Sequence, residues 1–127
     1  MGYEIPAGQV EDRALTEQEH RLTKWLLENG LDNNERYLNQ LQKAWVVAHC
    51  PCGCASIDFS VDGVLPDISG GMDIRSEYYW GKGGDGLCGV FVFANNGQLS
   101  GLEVWSVDGV VDVKELPEIS QLRAKTE

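Results

Sequence analysis

Three of the chain's four cysteines fall within five residues, Cys50-Pro51-Cys52-Gly53-Cys54, directly after His49. Sulfur atoms this close together either hold a soft metal ion or close a tight turn. Zinc takes four ligands in a tetrahedron, often from cysteines two to four residues apart. Here the spacing is Cys-x-Cys-x-Cys, so Cys50, Cys52 and Cys54 are candidate ligands and the fourth would be His49 or Cys88. The expectation is no cofactor: a tight loop in which small soft side chains pack and Gly53 allows positive φ. Zinc is the alternative that this pattern offers.

Other chemistries meet obstacles in the spacing. A thioredoxin-like site needs Cys-x-x-Cys at a helix start. A zinc deaminase needs Pro-Cys-x-x-Cys and an upstream His-x-Glu. Lys82 follows Gly81, but Gly83 stands where a phosphate-binding loop needs Ser or Thr. No Gly-x-Ser-x-Gly and no His-Glu-x-x-His occurs. Glu103 is the one carboxylate to single out, because strand pairing sets it beside apolar Val90; its ordinary reading is a solvated outer face. The expectation is a protein that is not an enzyme.

A second group of residues suits binding. Glu77, Tyr78, Tyr79 and Trp80 place three adjacent aromatics after an acid. Strand alternation cannot bury all three on one face. Tyr79, Trp80 and Trp105, flanked by Asp73, Glu77, Asp85 and Glu103, would make a hot-spot surface for a basic partner. The competing arrangement has the N-terminal helices cover that face and bury the rings.

Composition narrows the partner. Twenty acidic against ten basic side chains give a net charge of −10. That leaves no cationic excess for a phosphate backbone, so nucleic acid is not expected. A basic protein would be steered towards such a chain. The N-terminal residues lack the pattern of a secretory signal, and no segment approaches the roughly 20 apolar residues of a membrane span. A cytoplasmic setting without membrane contact follows, where free thiols or metal ligands are commoner than disulfides.

The elements that must position these residues are legible from periodicity. Residues 1–14 read as an irregular lead-in. Thr16-Glu17-Gln18-Glu19 fits a capping box, followed by a helix with Leu22, Trp25 and Leu26 on its apolar side and Gly30 as a left-handed stop. Asp32 to Glu35 starts a second helix that buries Tyr37, Leu38 and Leu41. From Trp45 the period becomes two. Pairing His49 with Ala55 puts Trp45, Val47, Ile57 and Phe59 on one face, and Val46, Ala48, Ser56 and Asp58 on the other. Asn96-Gly97 predicts a tight hairpin that pairs Phe91 with Leu102, Gly89 with Val104 and Cys88 with Trp105. Ser60-Val61-Asp62-Gly63-Val64 recurs at Ser106 to Val110, as two similar Asp-Gly turns or a duplication. Pro117 at a helix N1 position opens a short final helix from Glu118 to Lys125, with 120–127 read as a frayed tail. The fold class expected is α+β: one domain, residues 1–127, with two N-terminal helices on a mostly antiparallel sheet of about four to six strands.

The run Cys50 to Phe59 (CPCGCASIDF) and the run Asn96 to Gly109 (NGQLSGLEVWSVDG) resemble a family of small bacterial proteins of uncharacterised activity. That family pairs a Cys-x-Cys-Gly-Cys loop with a Gly-x-Leu-x-x-Leu-Glu-Val strand. In size and acidity the chain also resembles immunity proteins encoded beside bacterial toxins. This resemblance implies binding and neutralisation of a basic toxin domain, such as a nuclease, and assigns no residue a role.

Overall fold

Thr16 sets the first helix. Its hydroxyl accepts from the Glu19 amide at 3.1 Å, and the Glu19 carboxylate accepts from the Thr16 amide at 2.9 Å. Two otherwise orphaned donors are thereby satisfied. A computed structural model describes residues 9–49, 55–81, 86–107 and 113–124. The order is β1 (Gln9–Arg13), α1 (Glu17–Glu28), α2 (Glu35–Leu41), β2 (Ala44–His49), β3 (Ile57–Val61), β4 (Asp73–Trp80), β5 (Cys88–Asn95) and β6 (Gln98–Ser106). Short 3-10 turns occupy Ile68–Gly70 and Ile119–Gln121. The protein is an α+β domain with a six-stranded antiparallel sheet, ordered β1-β2-β3-β6-β5-β4. Among the described residues no helix is long and apolar enough to cross a membrane.

Both helices pack on one face of this sheet. Leu22, Leu26, Leu27, Tyr37 and Leu41 meet Phe59, Val90, Val92, Leu102 and Val104 in one buried cluster. Each such side chain, fully buried, contributes about 1.5–3 kcal/mol.

Several sequence expectations change. The lead-in contains a strand: Val10 pairs with Ala48 and Arg13 with Val46, making β1 an edge of the sheet. Gly30 is not at positive φ. A Cβ there would lie 2.4 Å from the Arg75 carbonyl oxygen, so β4's close approach is what requires glycine. Asn34 precedes α2, yet its side chain does not cap the helix. It donates to the Leu27 carbonyl at 3.0 Å and accepts from Arg75 Nε at 2.9 Å, tying α1 to β4. The chain's last described segment makes a 3-10 turn and then an isolated antiparallel bridge from Arg123 to Tyr79, not a helix through Lys125.

Both hairpins form, and both hold a bulge that shifts their register. In the first, Trp45 pairs with Ser60, Val46 with Phe59, Ala48 with Asp58 and His49 with Ile57. Val46 is fully buried in the helix-side cluster while Trp45 is 42% exposed, the reverse of their expected faces, whereas Ala48 keeps its expected side opposite Asp58. In the second, Asn96 and Gly97 take positive φ as the tight turn requires. The register then shifts between Phe93 and Ala94. Beyond it Val90 opposes Val104, Val92 opposes Leu102 and Phe91 opposes Glu103. One extra residue moves a strand's partners to the opposite face, because side chains alternate with period two.

Candidate functional site

The sheet face away from the helices collects the residues suited to binding. Registers place Glu77 and Tyr79 of β4, Phe91 and Phe93 of β5, Glu103 and Trp105 of β6, and Asp58 of β3 on this side. Tyr79 and Trp105 meet edge to face with centroids 5.7 Å apart, and so do Phe91 and Phe93 at 5.9 Å. The Tyr79 hydroxyl donates to Glu77 Oε2 at 3.2 Å.

Two glycines make room for the rings. A Cβ on Gly89 would lie 2.7 Å from the Trp105 ring, and one on Gly101 would lie 2.8 Å from the Phe93 ring. Each glycine sits directly opposite the aromatic it accommodates. Glycine inside a strand weakens it unless something approaches closely, and here the ring from the neighbouring strand does so.

Asp58 and Glu103 stand diagonally across β3 and β6, since Asp58 opposes Gly101. Both are half-buried. Neither has a hydrogen bond or a cation among the described residues. Burial holds the Asp58 carboxyl above the ordinary aspartate range. Burial also raises Glu103, and the neighbouring Asp58 charge raises it further. The Tyr79 hydroxyl is raised by burial and then by the Glu77 carboxylate. This face thus offers uncompensated negative charge inside an aromatic border, which can receive a cation by charge attraction and by ring faces together.

Four of the expected binding residues come together here: Glu77, Tyr79, Glu103 and Trp105. Trp80 does not. It faces the helices and packs against the core. Asp73 lies at the far end of β4, paired with Arg75 at 3.1 Å. Asp85 lies outside the described residues. Alternation divides the aromatic triplet as expected, with Tyr78 on the helix side stacked edge-on against Trp25 at 4.9 Å. The helices cover the face opposite Tyr79 and Trp105. Asp58, Phe91 and Phe93 were not expected in the site. Gly89 and Gly101, lone glycines in apolar strands, were the signal that could have found it.

The cysteine loop opens a different region. Cys50, Cys52 and Cys54 lie outside the described residues. His49 lines a cleft of ≈ 780 Å³ with Arg13, Thr16, Glu19, Lys114 and Glu115. Arg13 grips Glu19 with two bonds of 2.9 and 3.0 Å. Burial alone would raise the Glu19 carboxyl. The Arg13 guanidinium and the Thr16 donors outweigh it and hold Glu19 below its usual range. Cys88 is buried, and its thiol donates to the Gly86 carbonyl at 3.7 Å. It opposes Ser106, not Trp105. Ser56, at the start of β3, bonds Val104 through its hydroxyl at 2.9 and 3.2 Å. Cys88 therefore lies at the sheet end from which residues 50–54 depart, one strand away. Among the described residues no group of three or more His, Cys, Asp or Glu could hold a metal ion.

Compared with known proteins, the chain matches no family model, no curated protein and no solved structure.

Proposed function

We propose that this protein is a non-catalytic binding protein that docks a basic protein partner on the open face of its sheet. The partner in this reading is a toxin domain, such as a nuclease, which docking neutralises. The observation that carries it is the gathering of Asp58, Glu77 and Glu103 with Tyr79, Phe91 and Trp105 on the face the helices leave uncovered. Charge complementarity selects the occupant, since the whole chain carries −10. Tyr and Trp are among the residue types enriched in binding hot spots.

The test starts with affinity capture from the native host and continues with purified components. A basic protein should bind directly, with an association rate that falls about tenfold or more from low to physiological salt. Glu103→Lys and Trp105→Ala should each weaken binding by about 2 kcal/mol or more. Salt-independent association, or full affinity in both variants, overturns the reading.

A second reading is a small structural zinc module. It is favoured by the location of Cys88 at the same sheet end as the roots of the cysteine loop. Cys50, Cys52 and Cys54 with Cys88 or His49 would then be the ligands. Stoichiometric zinc in purified protein, and loss of thermal stability on chelation, would support it. Zinc-free protein of unchanged stability would remove it.

A further inference from the structure

We propose that docking on the open face is proton-linked, with Asp58 and Glu103 acting as one unit whose full ionisation creates the seat for the partner's cationic side chain. The inference rests on the docking reading and adds its regulation.

The geometry supplies the coupling. The two carboxyls project from adjacent strands to one side and stand at diagonal positions with Gly101 beside them. Gly101 adds no side chain to separate them. Both are half-buried, and no described lysine, arginine or histidine compensates either. The groups facing the pair from neighbouring elements are acidic or uncharged. Strand β4 presents Glu77 and the Tyr79 hydroxyl, β5 presents Phe91 and Phe93, and β2 presents Trp45 and Ala48. On β1, Asp12 accepts from the Trp45 indole at 2.6 Å. Among the described residues no group on this face favours the doubly ionised state, so the second proton leaves against the first charge. The direction of both carboxyl shifts agrees.

An incoming guanidinium or ammonium changes that balance. It stabilises the doubly ionised pair, so binding expels whatever proton remains, and a proton on the pair opposes binding. Affinity for a basic partner therefore rises with pH through the range in which the pair ionises.

The free chain gives the first measurement. Carbon-detected NMR titration should show Asp58 and Glu103 losing protons in linked steps above the ordinary carboxylate range. In Asp58→Asn the Glu103 midpoint should move down. The second measurement uses octa-arginine amide as the probe, with chemical-shift changes at Glu103 and the Trp105 indole reporting the location. Its affinity for the wild-type chain should increase about fivefold or more from about pH 4.5 to about pH 7. A variant carrying both Asp58→Asn and Glu103→Gln should bind more weakly and with a flat pH profile. Glu17→Gln, on the exposed side of α1, should keep the wild-type pH profile. An unmoved Glu103 midpoint in Asp58→Asn overturns the proton linkage whatever the partner. Linked titration together with equal probe affinity in the double variant overturns the docking reading, and this inference with it.

Discussion

At the scale of single residues, the open face is defined by what is missing as much as by what is present. Gly89 has no side chain, and Trp105 lies across it. Gly89→Ala should lower stability by about 1–3 kcal/mol and shift the Trp105 indole resonance, because ring and methyl cannot share the space. Among the described residues no cation compensates Asp58 or Glu103, and this has a definite sign. Both carboxyls titrate higher folded than unfolded. Their contribution to stability is full below the unfolded values and is lost as pH rises through the folded ones. Asp58→Asn should therefore raise the melting temperature at neutral pH, with the gain vanishing as pH falls below the ordinary aspartate range. Glu19 has the opposite sign. Its lowered value means stability present above the ordinary glutamate range and lost as pH falls through the folded value. Thermal melts of the wild type and Asp58→Asn across pH separate the two.

At the scale of elements, local chemistry was legible and register was not. The Thr16–Glu19 box could be read directly, since a cap needs only residues three apart. Thr16→Ala should cost about 1 kcal/mol in urea unfolding, because it leaves the Glu19 amide without its side-chain acceptor. The two positive-φ turns, Asp62-Gly63 and Asn96-Gly97, were equally plain. Each hairpin nevertheless holds an extra residue, between Val46 and Ala48 and opposite the Phe93–Ala94 step. No propensity rule marks a bulge in Val46-Val47-Ala48, and the lone Gly101 beside Ser100 signals a bulge or a close approach without saying which. Each bulge exchanged the two faces beyond it. Trp45 moved from the expected core to the open side, and Phe91 left the aliphatic cluster to stand opposite Glu103. The candidate site was half legible for the same reason. Glu77, Tyr79, Glu103 and Trp105 were named from type and neighbours, whereas Asp58 and Phe91 needed the true pairing.

At the scale of the whole molecule, one buried cluster fixes which face stays available. Phe59 is fully buried at its centre, between helices and sheet. Phe59→Ala should cost about 3–5 kcal/mol in denaturant unfolding, and a loss below about 1 kcal/mol would show that the helices do not seat on β3. The net charge of −10 acts at this scale too, because it sets long-range attraction without choosing the contact surface. The sequence alone determined the α+β class, the two helices, the turns and the acidic character. Those follow from interactions between residues close in the chain, or from a simple sum over it. Only the tertiary structure decided which side of each strand meets the helices. It also placed β1 and the Arg123 bridge at opposite edges and set Asp58 beside Glu103. The placements of β1, the Arg123 bridge and Asp58 depend on pairings some forty positions apart. The faces depend on the hairpins, where a single bulge costs little locally and reverses every side chain beyond it.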